Sequence, residues 1–306
     1  PIALISVIMT FANMIDMLTV NPCIKTAMKA SPHTFDSLLS DKLTTDMLPN
    51  FIYGSYTGLA VTVFGLVPTI TAMFGKSILP SLAESCAKND KKAMQSGLTK
   101  MLIVTSIIAI PAGMGIAVLS EPILRFLFGG RETEIQVCIM PMSILGIAVI
   151  FLAIATPCFA ILQTLGKPHK AIIIMSAGGI IKLFLNIILI RQPIINISGA
   201  AISTLVSEVF ICVLSVRSVC KMTDLKPKVS EIFVKPTYAA ITCSVTAILS
   251  HETLTKIAHL QINHRFVTLF SIGIGSTMYF FCLYLLCETP KNIVNYIFSK
   301  KNPQNP

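Results

Sequence analysis

IQVCIMPMSILGIAVIFLAIATPCFAILQTLG, residues 135 to 166, contains no charged side chain. Three further stretches share this property, namely residues 51 to 75, 101 to 120 and 266 to 287. A helix needs about 20 consecutive apolar residues to cross the hydrocarbon core of a bilayer. A water-soluble domain does not carry several such stretches, because too few polar side chains would remain to cover its surface. The sequence therefore predicts an all-α, polytopic transmembrane helix bundle.

The remaining apolar stretches bring the prediction to about eight spanning helices. Composition agrees with this class, since 54% of the residues are hydrophobic and only 12% are charged. Several stretches exceed 20 residues, so tilted or kinked helices are expected. The eight predicted helices cover residues 1–20, 51–80, 101–128, 135–163, 171–190, 197–216, 232–250 and 266–287.

Charges between these helices predict the orientation of the chain. Of the 24 Lys and Arg residues, 14 lie after the second, fourth, sixth and eighth helices, and seven lie in the alternate loops. Cytoplasmic loops of membrane proteins carry the excess of basic residues. The 14-residue set is therefore predicted to face the cytoplasm. This topology, together with contacts to lipid headgroups, explains the net charge of +10, and no nucleic-acid partner is expected.

Two pairs of polar residues are expected at membrane depth. Asn13 and Asp16 are three residues apart, and Lys182 and Asn186 are four apart, so each pair shares one helix face. Polar side chains inside a membrane are costly and usually face a water-filled cavity or another helix. We interpret both pairs as cavity-lining, with a structural hydrogen bond between helices as the alternative.

Two single charges in the apolar stretches allow two interpretations. Lys76 follows the uncharged stretch of residues 51 to 75, and Glu208 lies inside the sixth predicted helix. Each side chain could line a cavity, or could reach from its helix towards the headgroups.

Motifs for catalysis are absent from the sequence. It contains no Walker loop, GxSxG or HExxH motif, and no spacing typical of a metal site. We therefore predict that the chain is not an enzyme and requires no cofactor or metal.

Seven short strings, in this order along the chain, are similar to those of a known family. The chain resembles the MOP flippase superfamily over roughly residues 1–290, and within it the polysaccharide-type branch of stage V sporulation protein B and the MurJ-like lipid II flippases. The strings are NMID (13–16), YGSYTG (53–58), SILPSLAES (77–85), LSEPIL (119–124) followed by FG (128–129), ILQTLGKP (161–168), KLFLN (182–186) and GAAIST (199–204).

The resemblance implies a division of the chain into parts. Residues 1–220 would form the second six-helix lobe of a MATE/MOP-like transporter, 221–290 two extra C-terminal helices, and 291–306 a cytoplasmic tail. The chain opens on an apolar stretch at Pro1. We therefore expect that a first lobe is missing from it, and that this lobe or a partner chain completes the transporter.

The implied function is to flip a lipid-linked oligosaccharide or peptidoglycan precursor across the bacterial cytoplasmic membrane, for wall synthesis or sporulation. Lys182, and secondly Lys76, would attract its pyrophosphate. The sugars would form hydrogen bonds with Asn13, Asn186 and Gln163. Asp16 and Glu208 would be candidates for ion coupling. The MurJ-type flippases depend on cavity arginines, and the first two helices here contain none.

Two alternative functions remain open from the sequence. A MATE-type multidrug antiporter would use Asp16 or Glu208 to bind Na⁺ or H⁺, although two lysines in its cavity would disfavour cationic drugs. A non-transporting membrane assembly protein would use the polar pairs only to join helices.

Overall fold

The computed structural model describes residues 2–31, 44–88, 90–224, 230–258 and 264–286. For residues 2–13, 74, 75, 257, 258, 264, 265 and 286 it describes the backbone alone. The predicted cytoplasmic tail, residues 291–306, lies outside the described residues, and so does the side chain of Asn13.

Every regular element in the described part is helical. The order along the chain is α1 (Ile2–Ala30), α2 (Leu48–Ser55), α3 (Thr62–Ala87), α4 (Lys91–Val118), α5 (Ser120–Phe128), α6 (Glu132–Thr164), α7 (Pro168–Leu189), α8 (Ser198–Thr223), α9 (Lys235–Ala258) and α10 (His264–Leu286). A π-helical segment, Tyr56–Val61, joins α2 to α3, and a second one, Ser230–Val234, precedes α9.

Seven of the described helical segments are long and apolar enough to span a bilayer. They correspond to the predicted helices from the second to the eighth, which confirms the polytopic helical class. Residues 2–20 of the first predicted helix, 1–20, fall within α1. The third differs from its prediction, because α4 begins at Lys91 and a break at Leu119 separates it from the short α5.

Helix α6 occupies the centre of the bundle and packs against α3, α4 and α8. Two glycines allow the backbones of α4 and α6 to touch. A Cβ on Gly146 would lie 2.5 Å from the amide nitrogen of Ala117, and one on Gly113 would lie 2.5 Å from the carbonyl oxygen of Gly146. Small residues permit such close packing between membrane helices. Ser143 adds a bond across the same interface, donating to the Ala117 carbonyl at 2.7 Å.

The last two described helices, α9 and α10, pack against each other, and α9 connects this pair to α4. The buried hydroxyl of Tyr279 in α10 donates to the Ile107 carbonyl of α4 at 2.9 Å. The position of this pair is compatible with the predicted division near residue 220, which stays a prediction.

The loops after α3 and α8 meet at one end of the bundle. Lys91 forms an ion pair with Asp224 at 3.1 Å, and the Gln95 amide donates to the carbonyls of Thr223 and Asp224. Both loops belong to the strongly basic set, so this contact agrees with the orientation expected from the charges.

Gly146→Ala tests the contact between α4 and α6. We expect the variant to lower the free energy of unfolding by about 2 kcal/mol, because the new methyl group would meet fixed backbone atoms of the facing helix. The measurement is thermal unfolding of the purified protein in detergent.

Gly115→Ala is the matched control, because a Cβ there has open space around it. It should leave the unfolding midpoint unchanged or raise it slightly, since alanine is the better helix former. Equal midpoints for the two variants would show that the glycine contact contributes nothing to stability.

Candidate functional site

An ion pair at membrane depth joins α1 to α7. The Lys182 ammonium lies 2.7 Å from Oδ2 of Asp16. The side-chain amide of Asn186, one turn further along α7, donates to Oδ1 of the same carboxylate at 2.9 Å. Both carboxylate oxygens of Asp16 are therefore engaged by α7.

Hydroxyl groups extend this cluster to a third helix. The Asn186 amide also donates to the Thr19 hydroxyl at 3.1 Å, while Thr19 itself donates to the Ile15 carbonyl at 2.6 Å. On the other side, the Ser203 hydroxyl of α8 donates to Oδ1 of Asn186. Asn186 is completely buried and connects α1, α7 and α8. We call Asp16, Thr19, Lys182, Asn186 and Ser203 the polar cluster.

The polar cluster lies well inside the helices that carry it. Lys182 is seven residues before the end of α7, and Ser203 is five residues after the start of α8. At 1.5 Å per residue, these positions are about 8 to 10 Å from the helix ends. The side chains of Lys182 and Asp16 are only 12% and 13% exposed. Water therefore screens their attraction much less than it screens a surface ion pair.

Glu208 adds a second carboxyl group beside the polar cluster. It lies five residues beyond Ser203 in α8 and interacts electrostatically with Lys182. Its Oε2 atom is buried and accepts no hydrogen bond from the described residues. The Lys182 ammonium thus contacts the Asp16 carboxylate directly and interacts electrostatically with a second carboxyl group, that of Glu208. The group of three is electrically neutral only when one carboxyl holds a proton.

The contacts around Asp16 do not favour a bound metal ion. Both oxygens of Asp16 already bind α7, and Lys182 supplies the positive charge that a bound cation would bring. Within the described residues, no group of three or more His, Cys, Asp and Glu side chains could hold a metal ion.

The other predicted cavity residues lie elsewhere. Lys76 is exposed on α3, a helix that packs against α4 and α6 rather than against α7. Gln163 lies one residue before the end of α6, whereas Lys182 is fourteen residues beyond the start of α7. These two therefore differ in depth by about 20 Å, since α7 begins close to where α6 ends.

Sequence reasoning missed two members of the polar cluster. Thr19 follows Asp16 by three residues, which places both on one helix face and could have indicated its role. Ser203 was visible only as part of a family string, because a single serine in an apolar helix usually bonds to its own backbone. It does so here as well, through a bond to the Ala200 carbonyl at 2.9 Å.

Comparison with protein families now identifies the family. Residues 51–274, from α2 into α10, match the model of the lipid II flippase MurJ family. The chain belongs to this family. The matched region contains α7 and α8, and so includes Lys182, Asn186, Ser203 and Glu208.

Curated relatives of this MurJ-family chain are distant in sequence. The lipid II flippase MurJ of Bacillus subtilis (strain 168) is 26% identical over 136 residues, 44% of this chain and 25% of that protein. Stage V sporulation protein B of the same organism is 22% identical over 182 residues, 58% and 34% of the two chains. The probable low-salt glycan biosynthesis flippase Agl15 of Haloferax volcanii is 26% identical over 186 residues, which are 60% of this chain and 38% of that protein. The chain thus spans between a quarter and two fifths of these relatives.

Solved structures share the fold. An inward closed conformation of lipid II flippase MurJ superposes with a TM-score of 0.62 at 17% identity, covering 82% of this chain and 50% of that one. A MOP superfamily transporter from Pyrococcus furiosus superposes with a TM-score of 0.51 at 14% identity, covering 91% of this chain and 67% of that one.

Family membership and seven apolar helices make this chain part of a multi-pass membrane protein, which in bacteria belongs to the cytoplasmic membrane. The predicted assignment to the MOP flippase superfamily is confirmed. The matched family and two of the three named relatives, MurJ and Agl15, are described as flippases, so the multidrug antiporter and the assembly protein are not favoured.

Removing one partner of the central ion pair tests its contribution to stability. Lys182→Gln should lower the free energy of unfolding by about 3 kcal/mol, because it leaves the Asp16 carboxylate without its counter-charge. The double variant Asp16→Asn/Lys182→Gln should recover most of this loss. The measurement is thermal unfolding of all variants, including Asp16→Asn alone, as a double-mutant cycle.

Lys88→Gln is the control, since its ion pair with Glu84 is formed by largely exposed side chains and its loss should leave the unfolding midpoint almost unchanged. Additive losses in the cycle would show that Asp16 and Lys182 do not stabilise each other.

Proposed function

We propose that this chain forms one lobe of a flippase that moves a lipid-linked sugar precursor between membrane leaflets. The observation that carries the proposal is the family match over residues 51–274. The buried polar cluster supports it, because charged groups at membrane depth are characteristic of transport pathways. No catalytic chemistry is proposed for the chain.

Chemistry at the cluster suggests a substrate with a pyrophosphate headgroup. Such a headgroup carries negative charge and needs a cation to replace its hydration in a low-dielectric cavity. We propose that Lys182 exchanges Asp16 for the substrate phosphate when the cavity opens. The residual exposure of its side chain, 12%, supports access to the ammonium group. Asn186 would then keep Asp16 in place through its own bond to Oδ1.

A second lobe is part of this proposal. An alternating-access cavity lies between two repeats, and the chain covers half of the matched MurJ structure. We propose that the surface carrying the polar cluster faces that lobe, whether the lobe is covalently linked or a separate chain. Residues 1–220 would then be the lobe of this chain, and the pair α9 and α10 an addition to it.

Glu208 is proposed as the coupling group. The carboxylate of Asp16 is occupied by Lys182 and Asn186, whereas Oε2 of Glu208 has no hydrogen-bond donor among the described residues. A proton on Glu208 would neutralise the group of two carboxyls and one ammonium. Proton uptake would therefore change the attraction between Lys182 and its partners.

The transport test uses proteoliposomes that contain a fluorescent lipid-linked disaccharide pyrophosphate. The protein is purified through a tag on this chain from its native membrane, so that any second lobe is retained. Asp16→Asn/Lys182→Gln should reduce flipping at least about tenfold, because the pyrophosphate loses its cation while the protein stays folded. Reduction of outer-leaflet dye by dithionite measures the flipped fraction.

Two controls accompany the transport assay. Lys88→Gln should flip at the rate of the unmodified protein, and a fluorescent cationic drug should not be exported. Normal flipping by the double variant would show that the ion pair only joins helices. Absence of flipping by the unmodified protein, purified with its partner lobe, would overturn the proposed function itself.

Glu208→Gln tests the coupling step, because glutamine resembles the protonated acid permanently. The variant should make the flipping rate insensitive to pH, because glutamine has no ionisable group. The control Glu252→Gln replaces an exposed carboxyl group on α9 and should keep the pH dependence. A pH profile unchanged in Glu208→Gln would remove this residue from the coupling mechanism.

A further inference from the structure

A groove of about 1000 Å³ lies between α4, α6, α8 and the segment that leads into α9. It is separate from the polar cluster, which lies on α1, α7 and α8, and none of the cluster residues lines it. Its volume is in the range of sites that bind small molecules. Ile147 of α6 and Val213 of α8 are 45% and 57% exposed, so the groove is open along one side.

The polarity of the side chains that line the groove changes along its length. Most of its wall is apolar, with side chains such as Ile110, Met114 and Phe151. Along α8 the lining passes from Val213 to Arg217 and then to Lys221, over a rise of about 12 Å. One end is therefore basic while the rest offers no charged group. A ligand that fits this wall has a long apolar part and one anionic end.

Within the described residues, no ion pair neutralises the two cations at the basic end. Asp224 also lines this end, but its carboxylate pairs with Lys91 at 3.1 Å. Neither Arg217 nor Lys221 forms an ion pair with any residue that the structure describes. Both side chains are exposed. Two cations therefore remain available to a ligand at this end of α8.

We expect the basic end to lie at the level of the membrane surface. Arg217 and Lys221 are within the last two turns of α8, next to the contact between Lys91 and Asp224. The excess of basic residues predicts that this end faces the cytoplasm. Phosphate groups of the inner leaflet would lie at the same depth. Basic pockets between helices on this side of a membrane bind anionic lipid headgroups.

We propose that this groove binds an anionic phospholipid of the cytoplasmic leaflet. Its phosphate contacts Arg217 and Lys221, and one acyl chain lies along Phe151, Ile147 and Val213. The transported precursor fits the groove less well, because sugars need polar partners beyond the headgroup end and the wall there is apolar. The bound lipid would fill the space between the lobe and α9, and so fix the extra helix pair against it.

A tryptophan reporter tests this proposal, because the chain contains no tryptophan of its own. Phe151→Trp places the reporter inside the groove by a conservative change. Phe280→Trp places a control reporter on α10, at a position that is 64% exposed and outside the groove. Each full-length variant is reconstituted in bilayers that contain phospholipids brominated on the acyl chains, which quench tryptophan on contact.

The expected result is a preference for the anionic lipid in the groove alone. Brominated phosphatidylglycerol should quench Trp fluorescence of Phe151→Trp at least about fivefold more efficiently than an equal fraction of brominated phosphatidylcholine, given two basic side chains near the surface. The two lipids should quench Phe280→Trp equally. An equal response at both positions would overturn the proposal.

Removing the two basic side chains then tests whether they cause the preference for the anionic lipid. Adding Arg217→Gln and Lys221→Gln to Phe151→Trp should bring the two quenching efficiencies together. The matched pair Lys167→Gln and Lys170→Gln removes two charges from another loop of the same predicted side and should leave the preference intact. Unchanged preference without Arg217 and Lys221 would contradict the site. A reporter that neither lipid quenches would show that a protein segment covers the groove instead.

Discussion

Backbone N–H and C=O groups that cross a bilayer must find hydrogen-bond partners within the protein, because the hydrocarbon core contains no water. The helical form of every described element satisfies this demand within each segment. Many hydroxyl side chains follow the same rule by bonding to carbonyls one turn earlier, as Thr156 does to Leu152 and Ser271 does to Val267. Polar side chains that do not bond to the backbone of their own helix can form hydrogen bonds or ion pairs with a neighbouring helix.

Contacts between helices therefore depend on a few special residues. Apolar side chains gain little by leaving lipid for protein, so close packing and rare polar bonds decide which helices associate. Gly113 and Gly146 bring α4 and α6 together, while Gly178 lets α7 approach Ile211 of α8. The Asp16–Lys182 pair joins α1 to α7 in the same bundle. An ion pair is a costly means of joining helices, which is a physical reason to place transport at this cluster.

Charge is distributed so that the two proposed sites serve different ligands. Within the polar cluster, Lys182 is paired and lies deep in the bilayer, so a ligand reaches it only through a polar cavity. At the end of α8, Arg217 and Lys221 are exposed beside an apolar groove. A headgroup can reach them while its acyl chain stays in hydrocarbon. The first arrangement suits a transported headgroup and the second a resident lipid.

The sequence by itself determined the membrane class, the approximate positions of the seven described helical segments that can span a bilayer, and the family. These properties follow from uninterrupted apolar stretches and local strings, which need no knowledge of packing. Local spacing also placed Lys182 beside Asn186 and could have placed Thr19 beside Asp16. It did not show where α4 ends, because the uncharged stretch of residues 101–120 continues through the break at Leu119.

Only the tertiary structure decided which polar residues meet. Asp16 and Lys182 are 166 positions apart, and their contact depends on how α1 packs against α7. The same packing separates Lys76 and Gln163 from the cluster, although the sequence had grouped them with it. The groove at α8 was also hidden, since its wall combines residues from four segments of the chain. Helix formation is a local property of the chain, whereas the neighbours of a helix depend on contacts between residues far apart in sequence.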